Sequence, residues 1–108
     1  MFQLWLYTVS HGQMLFRSTK SRLHNSRIDL FFKNVKLIDV PVFINSVVID
    51  EVARCELSSD KTGGIPFHAA DRFFLIRAKE RNGLVVAGFF DWIEDDGEHY
   101  EDSKFMDE

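Results

Sequence analysis

Apolar side chains in this chain recur at every second position, and nowhere does a 3.6-residue period persist long enough to define a helix. The alternation is plainest in residues 27–33, where Ile28, Leu30 and Phe32 fall on one face and Arg27, Asp29, Phe31 and Lys33 on the other. Successive strand residues point to opposite sides of a sheet, so such a pattern buries one face and leaves the other wetter. Several segments of this kind at short spacing, divided by turn residues, predict a mainly antiparallel all-β fold. The expected architecture is a small partly closed barrel or a two-sheet sandwich, with at most one short helix. Eleven Phe residues support it, because large rigid rings fill the space between two sheet faces.

Turn residues divide the chain. Ser10-His11-Gly12-Gln13 predicts a hairpin over 4–19 that sets Val9 against Met14, Tyr7 against Phe16 and Trp5 against Ser18. Its second face, with Leu6, Leu15 and Arg17, is expected to be at most half covered. A polar loop over 18–26 leads to the 27–33 strand, and Val35 to Val40 forms a further apolar run ended by Pro41. Val42 to Ile44 and Val47 to Ile49 read as strands around a tight turn at Asn45-Ser46. Residues 50–57 read as strand with a helical alternative, and 58–66 as a loop containing Gly63-Gly64. Asn82-Gly83 between apolar runs predicts a second hairpin, pairing Ala78 with Ala87, Ile76 with Phe89 and Phe73 with Trp92.

At 108 residues the chain is expected to be one domain, residues 1–108, that needs no disulfide. One Cys, Cys55, excludes an intramolecular bridge and a multi-Cys zinc site. With no glycosylation sequon and no signal-like leader, the expected compartment is the reducing cytoplasm, without a membrane association.

Charge is distributed unevenly. Residues 91–108 carry nine acids and one base, whereas Arg17, Lys20, Arg22 and Arg27 lie in a stretch that precedes the first acid, Asp29. Three readings fit. The acidic end is a solvated, partly frayed tail; or it folds back on the 17–27 stretch through surface salt bridges worth about 0–1 kcal/mol each; or a charged region meets a charged partner.

Motifs for catalysis are lacking. Asp60-Lys61-Thr62-Gly63 resembles the phosphorylated-aspartate motif of P-type ATPases over four residues only, with Gly64 where the family has Thr, and reads as a turn. An EF-hand register on Gly97 puts Trp92 and Ser103 at ligand positions they cannot serve. The four His residues show no metal-ligand spacing, and no Gly-x-Ser-x-Gly accompanies Cys55. No cofactor or metal and no catalytic residue is expected, and the reading leans away from an enzyme.

The expected function is a non-catalytic binding or protein-interaction module, with another protein or a second copy as partner. Its candidate partner-binding residues are Arg17, Lys20, Arg22, Arg27, Asp91, Glu94, Asp95, Asp96 and Glu98. One alternative is a small-ligand site, or a minor enzyme, near the 58–66 loop using His68 and Asp91. Another is a weak nucleic-acid binder through the 17–27 basic stretch, although a pI of about 5.5 opposes it.

Overall fold

The alternating segment at 27–33 becomes an interior strand of a five-stranded sheet, next to one of its edges. The computed structural model describes residues 2–8, 12–20, 25–53, 66–79, 81–98 and 100–106. These contain β1 (Phe2–Thr8), β2 (Gln13–Ser18), β3 (Arg27–Lys33), β4 (Leu37–Asp39), β5 (Phe43–Ile44), β6 (Val48–Val52), β7 (Arg72–Arg77), β8 (Gly83–Ala87) and β9 (Phe89–Asp95). A three-residue 3₁₀ turn follows at Lys104–Met106. The strands form two antiparallel sheets that do not close into a barrel: sheet A has the order β5-β1-β2-β3-β9, and sheet B the order β4-β8-β7-β6. No helix among the described residues is long and apolar enough to cross a membrane.

The inner faces of the two sheets make the core. Met14, Phe16, Leu30, Phe32 and Ile44 of sheet A pack on Phe74, Ile76, Val85 and Ala87 of sheet B. Phe32 meets Phe74 edge-on at 5.6 Å, and Phe90 sits against both at 4.8 and 5.4 Å. The space lined by Phe16, Leu30, Phe32, Ile44, Ile76 and Val85 is about 10 Å³, room for one water at most and none for a ligand.

Chain switching between sheets explains where the sequence-predicted registers fail. Asn34, with φ of 53°, turns the chain out of β3 toward β4 in the other sheet, so 27–40 is two strands. Gly88 brings it back, ending β8 in sheet B and opening β9 in sheet A. Its N–H lies 3.0 Å from the Lys33 carbonyl and 3.3 Å from that of Asn34, while Lys36 N–H donates to the Val86 carbonyl at 2.8 Å. The apolar run over 84–94 is therefore two strands and cannot form one arm of a hairpin.

The arm that does exist pairs Arg72 with Ala87 and Ile76 with Gly83, not Ile76 with Phe89. Gly83 is a buried strand residue here, with no turn role. A Cβ on it would lie 2.4 Å from the Asp39 carbonyl, so glycine is required by close approach of β4. Likewise the strands on either side of Asn45-Ser46 do not pair with each other: Ser46, at φ of 47°, sends β5 to sheet A and β6 to sheet B. Strand β6 ends at Val52, and residues 54–65 lie outside the described residues, as does most of the expected 58–66 loop.

The first hairpin is also shifted. Thr8 pairs with Gln13 and Tyr7 with Met14, and a bulge at Trp5 then brings Leu4 opposite Phe16. The extra residue in a bulge exchanges the faces of the strand beyond it. Phe2 and Leu4 thus pack on the core, and Trp5 turns outward with Leu6. Gly12 does carry the expected positive φ, at 57°, and its carbonyl accepts from Val35 N–H at 3.0 Å.

Candidate protein-interaction surface

The register of sheet A decides what each of its faces offers. Arg17 of β2 stands opposite Asp29 of β3, and Arg27 of β3 opposite Asp95 of β9, all on the face away from the core. Arg17 Nε donates to Asp29 Oδ1 at 2.8 Å and Nη2 to Oδ2 at 3.2 Å. Arg27 makes the same fork on Asp95, with Nε to Oδ1 and Nη2 to Oδ2 both at 2.9 Å. All four side chains are at most 3% exposed. Planar guanidinium and carboxylate groups on neighbouring strands meet in the geometry that makes such bidentate bonds strong.

These charges are dry because the C-terminal segment covers them. After β9 the chain turns at Gly97, whose missing side chain is needed: a Cβ there would lie 2.5 Å from Cζ and Nη2 of Arg27. Residue 98 and residues 100–105 then lie across the outer face of sheet A as a strap. Arg27 Nη1 donates to the Glu98 and Glu101 carbonyls, each at 2.9 Å, and Arg17 Nη1 to the Glu101 carbonyl at 2.9 Å. Phe105 stacks on Phe31 at 4.8 Å and 12°, and Ser103 is buried. Leu15 and Arg17, expected on a face at most half covered, are consequently enclosed, as is Phe31 beside them.

The electrostatics follow from this enclosure. The Asp95 side-chain bond holds Arg27 above its ordinary value, against the opposing effect of burial. The Arg27 bond holds Asp95 below its ordinary value, outweighing burial, with help from Gly97 N–H at 3.0 Å. The basic and acidic stretches therefore touch. Where surface bridges between the two stretches are expected, Arg27 forms a buried pair with Asp95, while Arg17 pairs with Asp29 and meets the acidic stretch at the Glu101 carbonyl.

The remaining sequence-predicted residues are scattered around that pair of ion pairs. Lys20 pairs with Glu98 at 3.1 Å at the strap's margin, and Arg22 lies outside the described residues. Ser26 Oγ donates to Glu94. Asp91, Glu94, Asp96 and Glu98 are exposed, while Asp95 is committed to Arg27. Arg17 and Arg27, buried beneath the strap, present no cation to a phosphate.

His68 and Asp91 are not brought together. His68 N–H donates to Asp71 Oδ2 at 2.7 Å, and the residue is exposed. It lines an open cleft of about 330 Å³ with Glu51, Phe67, Asp71 and Arg72, whereas Asp91 sits on β9 in the other sheet. The acidic groups of that cleft are already engaged: Arg72 forks onto Glu51 at 2.8 and 2.9 Å, and Lys36 holds Asp71 at 2.8 Å.

Strand β9 itself is the feature that sequence reasoning missed. It pairs with β3 over all seven residues and forms one margin of sheet A, so its other backbone edge has no strand beside it among the described residues. On its inner row stand Phe90, Trp92 and Glu94, and on its outer row Phe89, Asp91, Ile93 and Asp95. Trp92 shares a side with buried Leu30 yet is 57% exposed, because sheet B does not extend over it. An open edge carrying one uncovered indole between carboxylates can take an added strand and read its side chains. Fold and site together define a two-sheet antiparallel β domain with an acidic, Trp-bearing open edge. In comparison with known proteins, no family model, no curated protein and no solved structure matches the chain.

Proposed function

We propose that this protein is a non-catalytic interaction module, acting in the cytoplasm, that docks an extended basic segment of another protein along β9. The observation that carries this reading is Trp92, more than half exposed on an edge strand between Asp91 and Glu94. Backbone pairing supplies affinity in such strand addition, and the side chains that alternate along the added strand supply selectivity. On the inner row the partner offers an apolar group to Trp92, and Glu94 on the same row adds to the longer-range attraction for its bases. On the outer row it offers a cation to Asp91. The partner is thus an alternating basic and apolar segment, and the exposed carboxylates at Asp96 and Glu98 raise its encounter rate at low salt.

The test is a titration with a capped peptide of alternating Lys and Val against its Glu and Val counterpart. Emission is followed in a Trp5→Phe background so that Trp92 is the sole indole. The Lys peptide should bind saturably, more weakly as salt rises, and at least tenfold more weakly after Asp91→Asn with Glu94→Gln. Equal binding of the two peptides, or no slowing of β9 amide exchange on binding, would overturn the reading. The small-ligand alternative has its support in the cleft beside His68, and a thermal-shift screen addresses it directly.

A further inference from the structure

We propose that a second copy of this chain pairs, antiparallel and about a twofold axis, along the free edge of β1 from Trp5 to Thr8. The two sheets have four margins, and three of them carry acids: Asp91, Glu94 and Asp95 on β9, Asp39 on β4, and Asp50 with Glu51 on β6. Charged groups on an edge strand discourage pairing with a like-charged copy. The fourth margin, made by β5 and β1, carries none. Phe2–Thr8 contains no ionisable acid or base other than Tyr7, and Val40 to Ile49 is uncharged.

That margin is also left half built. Strand β5 pairs with β1 only through Phe2↔Ile44 and Gln3↔Phe43, and Leu4 N–H reaches the Val42 carbonyl at 2.8 Å. Beyond Leu4 the outer edge of β1 has no strand beside it among the described residues. Trp5, Leu6, Tyr7, Val42 and Phe43 are all exposed along this stretch, the largest concentration of uncovered apolar side chains on one sheet margin among the described residues. In a chain of net charge −4, this margin is where two copies meet without carboxylates facing each other.

Twofold pairing fits the remaining features. It sets Trp5–Thr8 of one copy against Trp5–Thr8 of the other, and it brings Thr8 of each copy toward the margin where Val42 and Phe43 of its mate are exposed. The joined sheet then runs from one β9 to the other, and both of its new margins are acidic. Association is therefore closed at two copies and does not propagate. The β9 margins remain free, so the dimer presents two copies of the docking edge proposed above without depending on it.

Sedimentation of the full chain across a concentration series tests this. The expected result is a reversible monomer–dimer equilibrium that Leu6→Lys weakens at least tenfold while circular dichroism stays unchanged. If Leu6→Lys disturbs the fold, Phe43→Lys, on the neighbouring strand, provides the same readout. Trp92→Ala should leave the dimer intact. A monomer at every concentration, growth beyond two copies, a dimer that survives a folded Lys variant, or one dissolved by Trp92→Ala would each overturn the proposal.

Discussion

Arg27 and Asp95 face each other across the β3–β9 ladder and bond twice, both bonds at 2.9 Å, with neither side chain more than 3% exposed. The third guanidinium nitrogen holds two carbonyls of the strap, those of Glu98 and Glu101. One side chain therefore joins a central strand, an edge strand and the segment that covers them. Arg17 repeats the arrangement one strand over, through Asp29 and the same Glu101 carbonyl. Removing two charges from water is costly, and it is sustained here by complete satisfaction of their hydrogen bonds.

Deleting one partner should accordingly be expensive. Asp95→Asn leaves a buried guanidinium without its carboxylate, and the expected loss is about 3–5 kcal/mol, read from urea denaturation midpoints. Glu51→Gln, which breaks the exposed pair with Arg72, should cost under about 1 kcal/mol. Similar losses in the two variants would show that burial does not distinguish these pairs.

The same group sets the acid limit. The Arg27 bond holds Asp95 below its ordinary value, against burial, so the folded state binds this proton less readily than the unfolded chain does. Its stabilisation is thus complete above the unfolded value of about 3.9 and is lost as pH falls through the lower folded value. Asp71 adds in the same direction: burial pushes it up, but Lys36 and the His68 N–H outweigh that. Denaturation midpoints should be flat from about pH 5 to 7 and fall below about pH 4. Asp95→Asn should flatten that fall, and an unchanged slope would remove Asp95 as its source.

What could be read from the sequence divides along physical lines. Arg27–Lys33 was legible with its ends and both faces, because one face is wholly apolar and alternation needs no partner to be seen. The buried outer face was not. Arg17, Arg27 and Asp29 look solvated by composition, and what encloses them are carbonyls of Glu98 and Glu101, which carry no residue identity. The concentration of acids from Asp91 onward admitted a fold-back as one of three readings, and nothing in it indicated that the contact would be dry. Trp92 escaped notice as a surface residue because its exposure depends on where sheet B stops, and no local pattern records that.

Gly83 offers a clean test of how that legibility fails. After Asn82 it reads as a turn glycine, and in a two-residue Asn-Gly turn both residues hold positive φ, so Ala at either one would be costly. In the fold it is a strand residue against the Asp39 carbonyl and Val40. Gly83→Ala should destabilise by about 1–3 kcal/mol, the range for overpacking a tight site. Asn82→Ala, at an exposed position, should change stability by less than about 0.5 kcal/mol. A loss in Asn82→Ala as large as that in Gly83→Ala, read from thermal melts, would restore the turn reading.

The strap is held at its far end by a ring, and that contact separates covering from mere tethering. Phe105 lies parallel to Phe31 at 4.8 Å, half-buried, just beyond buried Ser103. A stacked pair contributes about 0.5–1.5 kcal/mol beyond the area it buries, so Phe105→Ala should cost about 2 kcal/mol in all. Its more telling effect is on exchange. With the ring gone, the last turn of the strap should open more often, and amide protection should fall first at Phe105, whose N–H donates to Ser103 Oγ at 3.3 Å. Protection in β2 and β3 should fall by no more than the global loss, because Arg17 and Arg27 still grip the Glu98 and Glu101 carbonyls. If β2 and β3 lose protection in step with the strap, cover and sheet form one cooperative unit, and the two guanidinium groups do not hold the inner part of the strap independently of its end.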